Sequence, residues 1–482
     1  MKKNSMKKNF IYNLIYEIFA IILPLLTSPY ITRVLGVERL GQYSYSYSVA
    51  YYFVLVSMLG IKNYGNRQIA QMREDPKKLG DVFSNIFALH AIISIICTLL
   101  YIGYIFSIKE DRLYAVFQGI YVISAIFDIS WFYFGVEKFK FVVARNSFVR
   151  ILNVIFIFAF VRNESDLWKY CLIMAMGTLV SQITLWIPLK SQVKMVTPKF
   201  SKMIVHLKPL FFLFIPAVAI SVYKHMDKIM IGILSNKTEL GFYDNAEKVI
   251  NIPITIIAAF GTVMLPRMSN LAVGDNKKES RRYLEISMQF IMCIAFALTF
   301  GLAGVARQFA PLFWGAKLQS ADVLIMGLAT TIPFISFANV IRTQYLIPNS
   351  KDTEYILSVI FGAVVNFTSN WILIPKMGAM GAVIGTIVAE ITVCALQTYM
   401  VRRELSVGSY IKYSMPYALY GGVMFAIVYY WGLQRRTNLN TLLMQIVMGI
   451  VFYTFASVLY FRMTKNSTFL EIVKNWKKKH KK

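Results

Sequence analysis

Apolar residues run in blocks of about 20 along nearly the whole chain, each long enough to cross about 30 Å of hydrocarbon as an α-helix, with short polar segments between them. The blocks fall at 10–33, 40–62, 82–106, 114–134, 141–161 and 168–189. After the basic segment KSQVKMVTPKFSKMIVHLK they resume at 209–233, 246–268, 284–306, 322–346, 353–374, 378–400, 411–431 and 440–462. The pattern predicts an all-α polytopic membrane protein with about 14 transmembrane helices. Its expected division is an N-terminal lobe of six helices over 1–190, a cytoplasmic linker over 191–208, a C-terminal lobe of six helices over 209–400, and two further helices with a basic tail over 401–482.

The distribution of Lys and Arg tests this division, because cytoplasmic loops carry the excess. With the N-terminus inside, the inner segments hold about 34 of these residues and the outer loops about 12, a bias that one miscounted helix would destroy. Both termini are therefore expected in the cytoplasm. The first block, Phe10 to Val34, is too long for the apolar region of a signal peptide and has no small-residue cleavage site, so it reads as the first spanning helix. Loops of no more than about twenty residues leave no room for a folded soluble domain, which places any functional site inside the bundle. The tail NWKKKHKK reads as a positive-inside anchor.

Residues 221–248, SVYKHMDKIMIGILSNKTELGFYDNAEK, put charges into an apolar run. Lys224, Asp227 and Lys228 sit at i, i+3 and i+4 and share one helix face. A charge deep in hydrocarbon costs roughly 2.5–3.5 kcal/mol on insertion scales, so that face is expected to meet a partner or a watery cavity. Counting along straight helices, Glu17, Arg150, Lys224 and Glu390 lie nearest the midplane. Asp128 and Arg342 fall nearer the cytoplasmic side. Arg33, Asp227, Lys228, Glu247 and Lys248 fall toward the outer side, where snorkelling competes with function. Arg150 and Lys224 cannot easily reach water along the helix axis, and they suit an anionic ligand, for which a phosphate is the natural choice in a membrane. Glu17, Asp128, Asp227 and Glu390 are candidate counter-charges or ion-coupling groups.

The same region echoes an earlier one. LGQYSYSYSVA at 40–50 reads against LGFYDNAEKVI at 240–250, and Arg67 falls opposite Arg267 at the same offset. A constant offset is the mark of a transporter built from internal repeats with its site between them. Pro24 and Pro29 are expected to interrupt the first helix, and Pro209 and Pro216 fall early in the seventh, its counterpart, so a kinked or broken helix is expected at corresponding positions. Tyr43, Tyr45, Tyr47, Tyr51 and Tyr52 crowd the start of the second helix, and their spacing spreads them around it, so only part of the set is expected to line a cavity. Gly381 and Gly385 make a face for close helix packing.

Composition narrows the class. With 482 residues, 57% hydrophobic, 16% charged and a mean hydropathy of +0.55, the chain is too apolar for a soluble protein of its size. A net charge of +27 raises nucleic acid as a partner, but the basic residues sit in the short segments between blocks, as topology signals do. No nucleic acid is expected. Cys97, Cys171, Cys293 and Cys394 all lie within apolar runs without CxxC spacing, so neither a metal site nor a cofactor is expected. His90, His206, His225 and His480 read as structural or solvated.

PYITRVLGVERLGQYSYSYSVAYYFVLVSMLGIKNYGNRQIAQMRED and YKHMDKIMIG with ELGFYDNAEKV and PITIIAAFGTVMLPRMS carry a family pattern. The chain resembles the polysaccharide and lipid-linked oligosaccharide flippases, the Wzx-type branch of the multidrug/oligosaccharidyl-lipid/polysaccharide (MOP) exporter superfamily. The family's RxLG, YGxR and DKxMIG elements correspond to Arg33 to Gly36, Tyr64 to Arg67 and Asp227 to Gly232. The resemblance implies two lobes around a central basic cavity in a bacterial plasma membrane protein. It implies an undecaprenyl-diphosphate-linked repeat unit as cargo, moved to the outer leaflet for capsule, exopolysaccharide or O-antigen assembly, with a polysaccharide polymerase complex as a candidate partner. Arg150, Lys224 and Arg342 as cavity groups rest on depth alone, with Lys228 and Arg33 as further substrate-binding candidates. Two rivals stand: a drug or cation antiporter of the same superfamily, and a membrane-embedded glycan polymerase or glycosyltransferase. The excess of buried basic groups favours an anionic lipid head over a cationic drug, and the outer loops offer no convincing pair of carboxylates for catalysis. Neither catalytic residues nor a metal are expected.

Overall fold

The computed structural model describes residues 23–273 and 277–463. Its helices are α1 (23–35), α2 (Val37–Met58), α3 (Ile61–Met72), α4 (Pro76–Ser107), α5 (Arg112–Ser124), α6 (Ser130–Gly135), α7 (Phe139–Phe160), α8 (Leu167–Ile183) and α9 (Phe200–Leu234). They continue with α10 (Lys237–Val273), α11 (Lys277–Trp314), α12 (Ala321–Ala329), α13 (Thr331–Ile341), α14 (Asp352–Met377), α15 (Ala379–Val401), α16 (Val407–Leu433) and α17 (Leu439–Met463). No strand occurs among the described residues. Among the described residues, twelve helical segments are long and apolar enough to cross a membrane, and each coincides with a block expected from the sequence. The block at 10–33 falls largely outside the described residues, and that at 411–431 lies on α16, which is not among the twelve. Large exposed side chains such as Leu99, Phe106, Ile450 and Phe455 cover the helices, as expected of surfaces that meet lipid rather than water.

Local chemistry sets where helices begin and break. Asp75 caps α4 by accepting the Lys77 and Lys78 N–H groups at 3.1 and 3.2 Å, with Pro76 in the first turn. These bonds, that from Lys78 foremost, hold its carboxyl below the ordinary aspartate range. The single helix expected at 114–134 is divided: Asp128 Oδ1 accepts the Ser130 N–H at 2.9 Å and the Asp128 carbonyl accepts Trp131 Nε1 at 3.1 Å, so the chain turns between α5 and α6. The block at 322–346 likewise divides at Thr330, where Pro333 lacks the N–H that would continue the ladder and the Thr330 and Thr331 hydroxyls donate back to Gly327 and Leu328. By contrast α9 continues as one unbroken helix past both of its prolines, Pro209 and Pro216. Pro24 and Pro29 lie within α1. Membrane helices tolerate proline because neighbouring groups re-satisfy the freed carbonyls.

The described residues form two compact units, one ending at Asp244 and the other beginning at Asn245. In the first, the basic connector expected at 191–208 has no regular structure over 193–199 and is tied along α4, with the Val196 N–H donating to Ser84 Oγ and the Lys199 N–H to Asn85 Oδ1, both at 2.9 Å. In the second, α14 and α15 pack through Gly381 and Gly385, where an added Cβ would stand 2.5 Å from the Leu373 backbone and 2.1 Å from Asn370 Oδ1. Small residues let membrane helices approach closely where hydrophobic driving force is absent.

Candidate functional site

Five helices of the first unit enclose a cavity of about 390 Å³. Its wall from α7 is a polar stripe, Asn146, Arg150 and Asn153, at positions one and two turns apart. α8 supplies Tyr170, Thr178, Ser181 and Gln182, α5 supplies Gln118 and Tyr121, α2 supplies Tyr43 and Tyr47, and α1 closes one side with Pro24 and Thr27. Arg150 is the cation among the described residues of this wall, and those residues include no carboxylate. Arg145, just outside, donates to the Ser181 carbonyl and to Asn146 Oδ1, and Ser181 Oγ donates to the same Asn146 oxygen at 3.1 Å. Gln118 Nε2 and Gln182 Oε1 are buried with no hydrogen-bond partner among the described residues. Such groups are costly unless something polar meets them, so the cavity suits a polar, anionic guest.

The tyrosines divide as their spacing on α2 requires. Tyr43 and Tyr47 are one turn apart, with ring centroids 5.9 Å apart; Tyr43 meets Tyr170 edge-on at 4.6 Å and Tyr47 stacks on Tyr121 at 5.3 Å. Tyr45 points elsewhere, into a depression where the Lys237 ammonium sits 3.1 Å from its ring centroid and where half-burial raises the Asp111 carboxyl above the usual aspartate range. Tyr51 and Tyr52 reach α9: the Tyr51 ring lies 4.2 Å from that of His225, and the Tyr52 hydroxyl donates to the Ser221 carbonyl.

A second polar cluster joins α2, α9 and the first turns of α10. Lys228 Nζ donates to Asp244 Oδ1 at 2.6 Å, Ser44 Oγ donates to the same oxygen at 3.0 Å, and the Tyr243 hydroxyl donates to Asp227 Oδ2 at 2.7 Å. Asp227, Asp244 and Ser44 are buried, so Asp227 and Lys228 meet protein partners here rather than snorkelling to water. Removing the Asp244 charge takes an ion-pair partner from the Lys228 ammonium. Asp244→Asn is expected to lower stability by about 3–5 kcal/mol, read as thermal unfolding of the purified protein in detergent, and adding Lys228→Met is expected to recover most of the loss.

The other candidates are dispersed. Glu17 lies outside the described residues, as does the side chain of Lys224. Arg33 is exposed at the end of α1, and Asp128 is buried at the break before α6. Arg342 and Glu390 belong to the second unit. Arg342 opens a π-helical turn, Arg342–Leu346, with its guanidinium 5.5 Å from the Tyr355 ring centroid. Glu390 is buried on α15, the helix that packs against α14. Depth counting missed the amides Gln118, Asn146, Asn153 and Gln182. Their signal was polar residues recurring every three or four positions in apolar runs, which marks the face of a membrane helix turned inward.

Residues 6–272 match the model of the polysaccharide biosynthesis protein family, more than half of the chain. The chain belongs to that family. It is 21% identical over 392 residues to the "Putative O-antigen transporter" of Shigella dysenteriae, covering 80% of this chain and 98% of that protein. The protein of the same description from Escherichia coli (strain K12) is 22% identical over 408 residues, covering 83% and 98%. Among solved structures, the lipid II flippase MurJ in its inward closed conformation superposes with a TM-score of 0.78 at 16% identity, over 95% of this chain and all of that one. An inward-facing multidrug resistance MATE family transporter of the MOP superfamily gives a TM-score of 0.58 at 14% identity, over 81% and 99%. The fold is that of the MOP exporters, as the sequence blocks around Arg33 and Asp227 imply.

Proposed function

We propose that this protein is a flippase that carries lipid-linked oligosaccharide from the cytoplasmic to the outer leaflet by alternating access, with undecaprenyl diphosphate as the lipid carrier and capsule, exopolysaccharide or O-antigen as the product. The observation that carries the reading is the cavity around Arg150, where a half-buried guanidinium, buried amide groups and tyrosine rings gather among the described residues of one wall. A diphosphate meets the guanidinium in fork geometry. Sugar hydroxyls meet the Gln118 and Gln182 amides, and their apolar faces lie on Tyr43 and Tyr47. The prenyl tail stays in lipid, so only the head needs shielding, and shielding removes most of the desolvation cost of bringing charge through hydrocarbon. The names of the relatives support transport rather than catalysis.

The test is leaflet-resolved measurement of lipid-linked glycan in cells depleted of the protein. Complete repeat units are expected to build up on the cytoplasmic leaflet and to clear when the protein is restored. Incomplete glycans, or complete units that reach the outer leaflet without being polymerised, would instead mark an enzyme or an assembly partner.

A further inference from the structure

The second unit contains a groove of about 750 Å³ unlike the cavity of the first, because nearly all of its surface is hydrocarbon. One edge is α15, where Ile391, Ala395 and Tyr399 follow at every fourth position and are all exposed. The facing edge is α16, with Ile411 and Met415 exposed, and the floor is built from Phe300 of α11 and Phe337 of α13. From Ile391 to the end of the groove at Arg402 the helix rises roughly 16 Å, about the hydrocarbon depth of one leaflet.

The charged end of the groove is specific. Arg402 lines it, with its guanidinium 3.4 Å from the Tyr399 ring centroid and Nη1 donating to the Tyr399 carbonyl at 2.7 Å. Arg402, Arg403 and Lys412 are exposed and have no acidic partner among the described residues. The acid of that turn, Glu404, is already held by Lys351 and the Tyr345 hydroxyl; the Lys351 bond, first, draws its carboxyl below the ordinary glutamate range. An apolar slot one leaflet deep that ends in uncompensated cations has the charge pattern of a single amphiphile.

The geometry points to a binding site for an anionic phospholipid, one acyl chain lying along Ala395 and Tyr399 and the phosphate resting on Arg402. The Lys and Arg distribution puts this end of α15 at the cytoplasmic face, so the lipid belongs to the inner leaflet. A basic group near the headgroup plane favours an anionic lipid about fivefold. The site is independent of the transport reading, since lipid binding can be read without any flipping.

The experiment is native mass spectrometry of the full-length protein delipidated in detergent and titrated with phosphatidylglycerol or phosphatidylcholine of matched chains. Phosphatidylglycerol is expected to bind about fivefold more tightly. Arg402→Gln is expected to abolish that preference while leaving phosphatidylcholine binding unchanged. Ala395→Trp, and the milder Ala395→Leu should the first not fold, fill the slot and are expected to weaken both lipids. Equal binding of the two lipids, or a preference that survives Arg402→Gln, overturns the site. Displacement of phosphatidylglycerol by inorganic phosphate shows that the chain slot plays no part, and tighter binding of a polyprenyl phosphate than of phosphatidylglycerol identifies a different occupant; either overturns the proposal.

Discussion

Arg150→Gln is expected to cut export of lipid-linked glycan by roughly 30-fold or more while leaving the amount and melting of the protein in the membrane close to wild type. The magnitude follows from the place of the charge. Arg150 is the cation among the described residues that line the first-unit cavity, the group that a diphosphate would meet there. Loss of one partner from a desolvated charge pair costs about 2–5 kcal/mol, and 1.4 kcal/mol is a factor of ten. Glutamine keeps hydrogen-bonding capacity and much of the side-chain length, so packing against Asn146 and Asn153 should survive. Arg150→Lys keeps the charge but replaces a planar fork by a point, and should recover part of the rate. Leaflet-resolved glycan measurement in complemented cells reads all three proteins. Wild-type export by Arg150→Gln would remove the anion from this cavity.

Fold class was legible because a membrane helix declares itself in bulk: some twenty apolar residues in a row need no tertiary information. The breaks were not, because they depend on particular bonds. Asp128 counts only as a charge toward the cytoplasmic side in a list of blocks, yet its carboxylate accepts the Ser130 N–H and turns the chain. Proline misleads in the other direction, since α9 runs on past two of them. The candidate site was half legible. Depth counting reached Arg150 because charge in hydrocarbon is rare, but neutral amides carry little hydropathy signal, so Gln118 and Asn153 passed unnoticed. Lys228 was weighed against snorkelling because its partner Asp244 lies on the next helix, a pairing that spacing along one helix does not reveal.

Gly41→Ala and Gly241→Ala are each expected to destabilise the protein by about 1–3 kcal/mol, the usual cost of overpacking, and together to cost less than their sum. The two glycines stand 200 positions apart, the offset of the sequence echo, and they meet reciprocally within the first unit. A Cβ on Gly41 would fall 1.7 Å from the Lys237 carbonyl oxygen, and one on Gly241 would fall 2.0 Å from the Val37 carbonyl oxygen. Backbone cannot turn aside as a flexible side chain does, so either methyl group must push the first turns of α2 and α10 apart. That shift also draws Ser44 away from Asp244, three residues further along both helices, and loosens the bonds around Lys228. Once one methyl has separated the helices, the second enters space already opened, which is why the two costs do not add. Gly422 on α16 is the control, with nothing within 4 Å of an added Cβ, and Gly422→Ala should be neutral or slightly stabilising through helix propensity. Thermal unfolding in detergent, run as a double-mutant cycle, measures the coupling. Full additivity, or melting unchanged in both single variants, would mean that α2 and α10 do not cross at these glycines and that the echo between 40–50 and 240–250 has no structural counterpart.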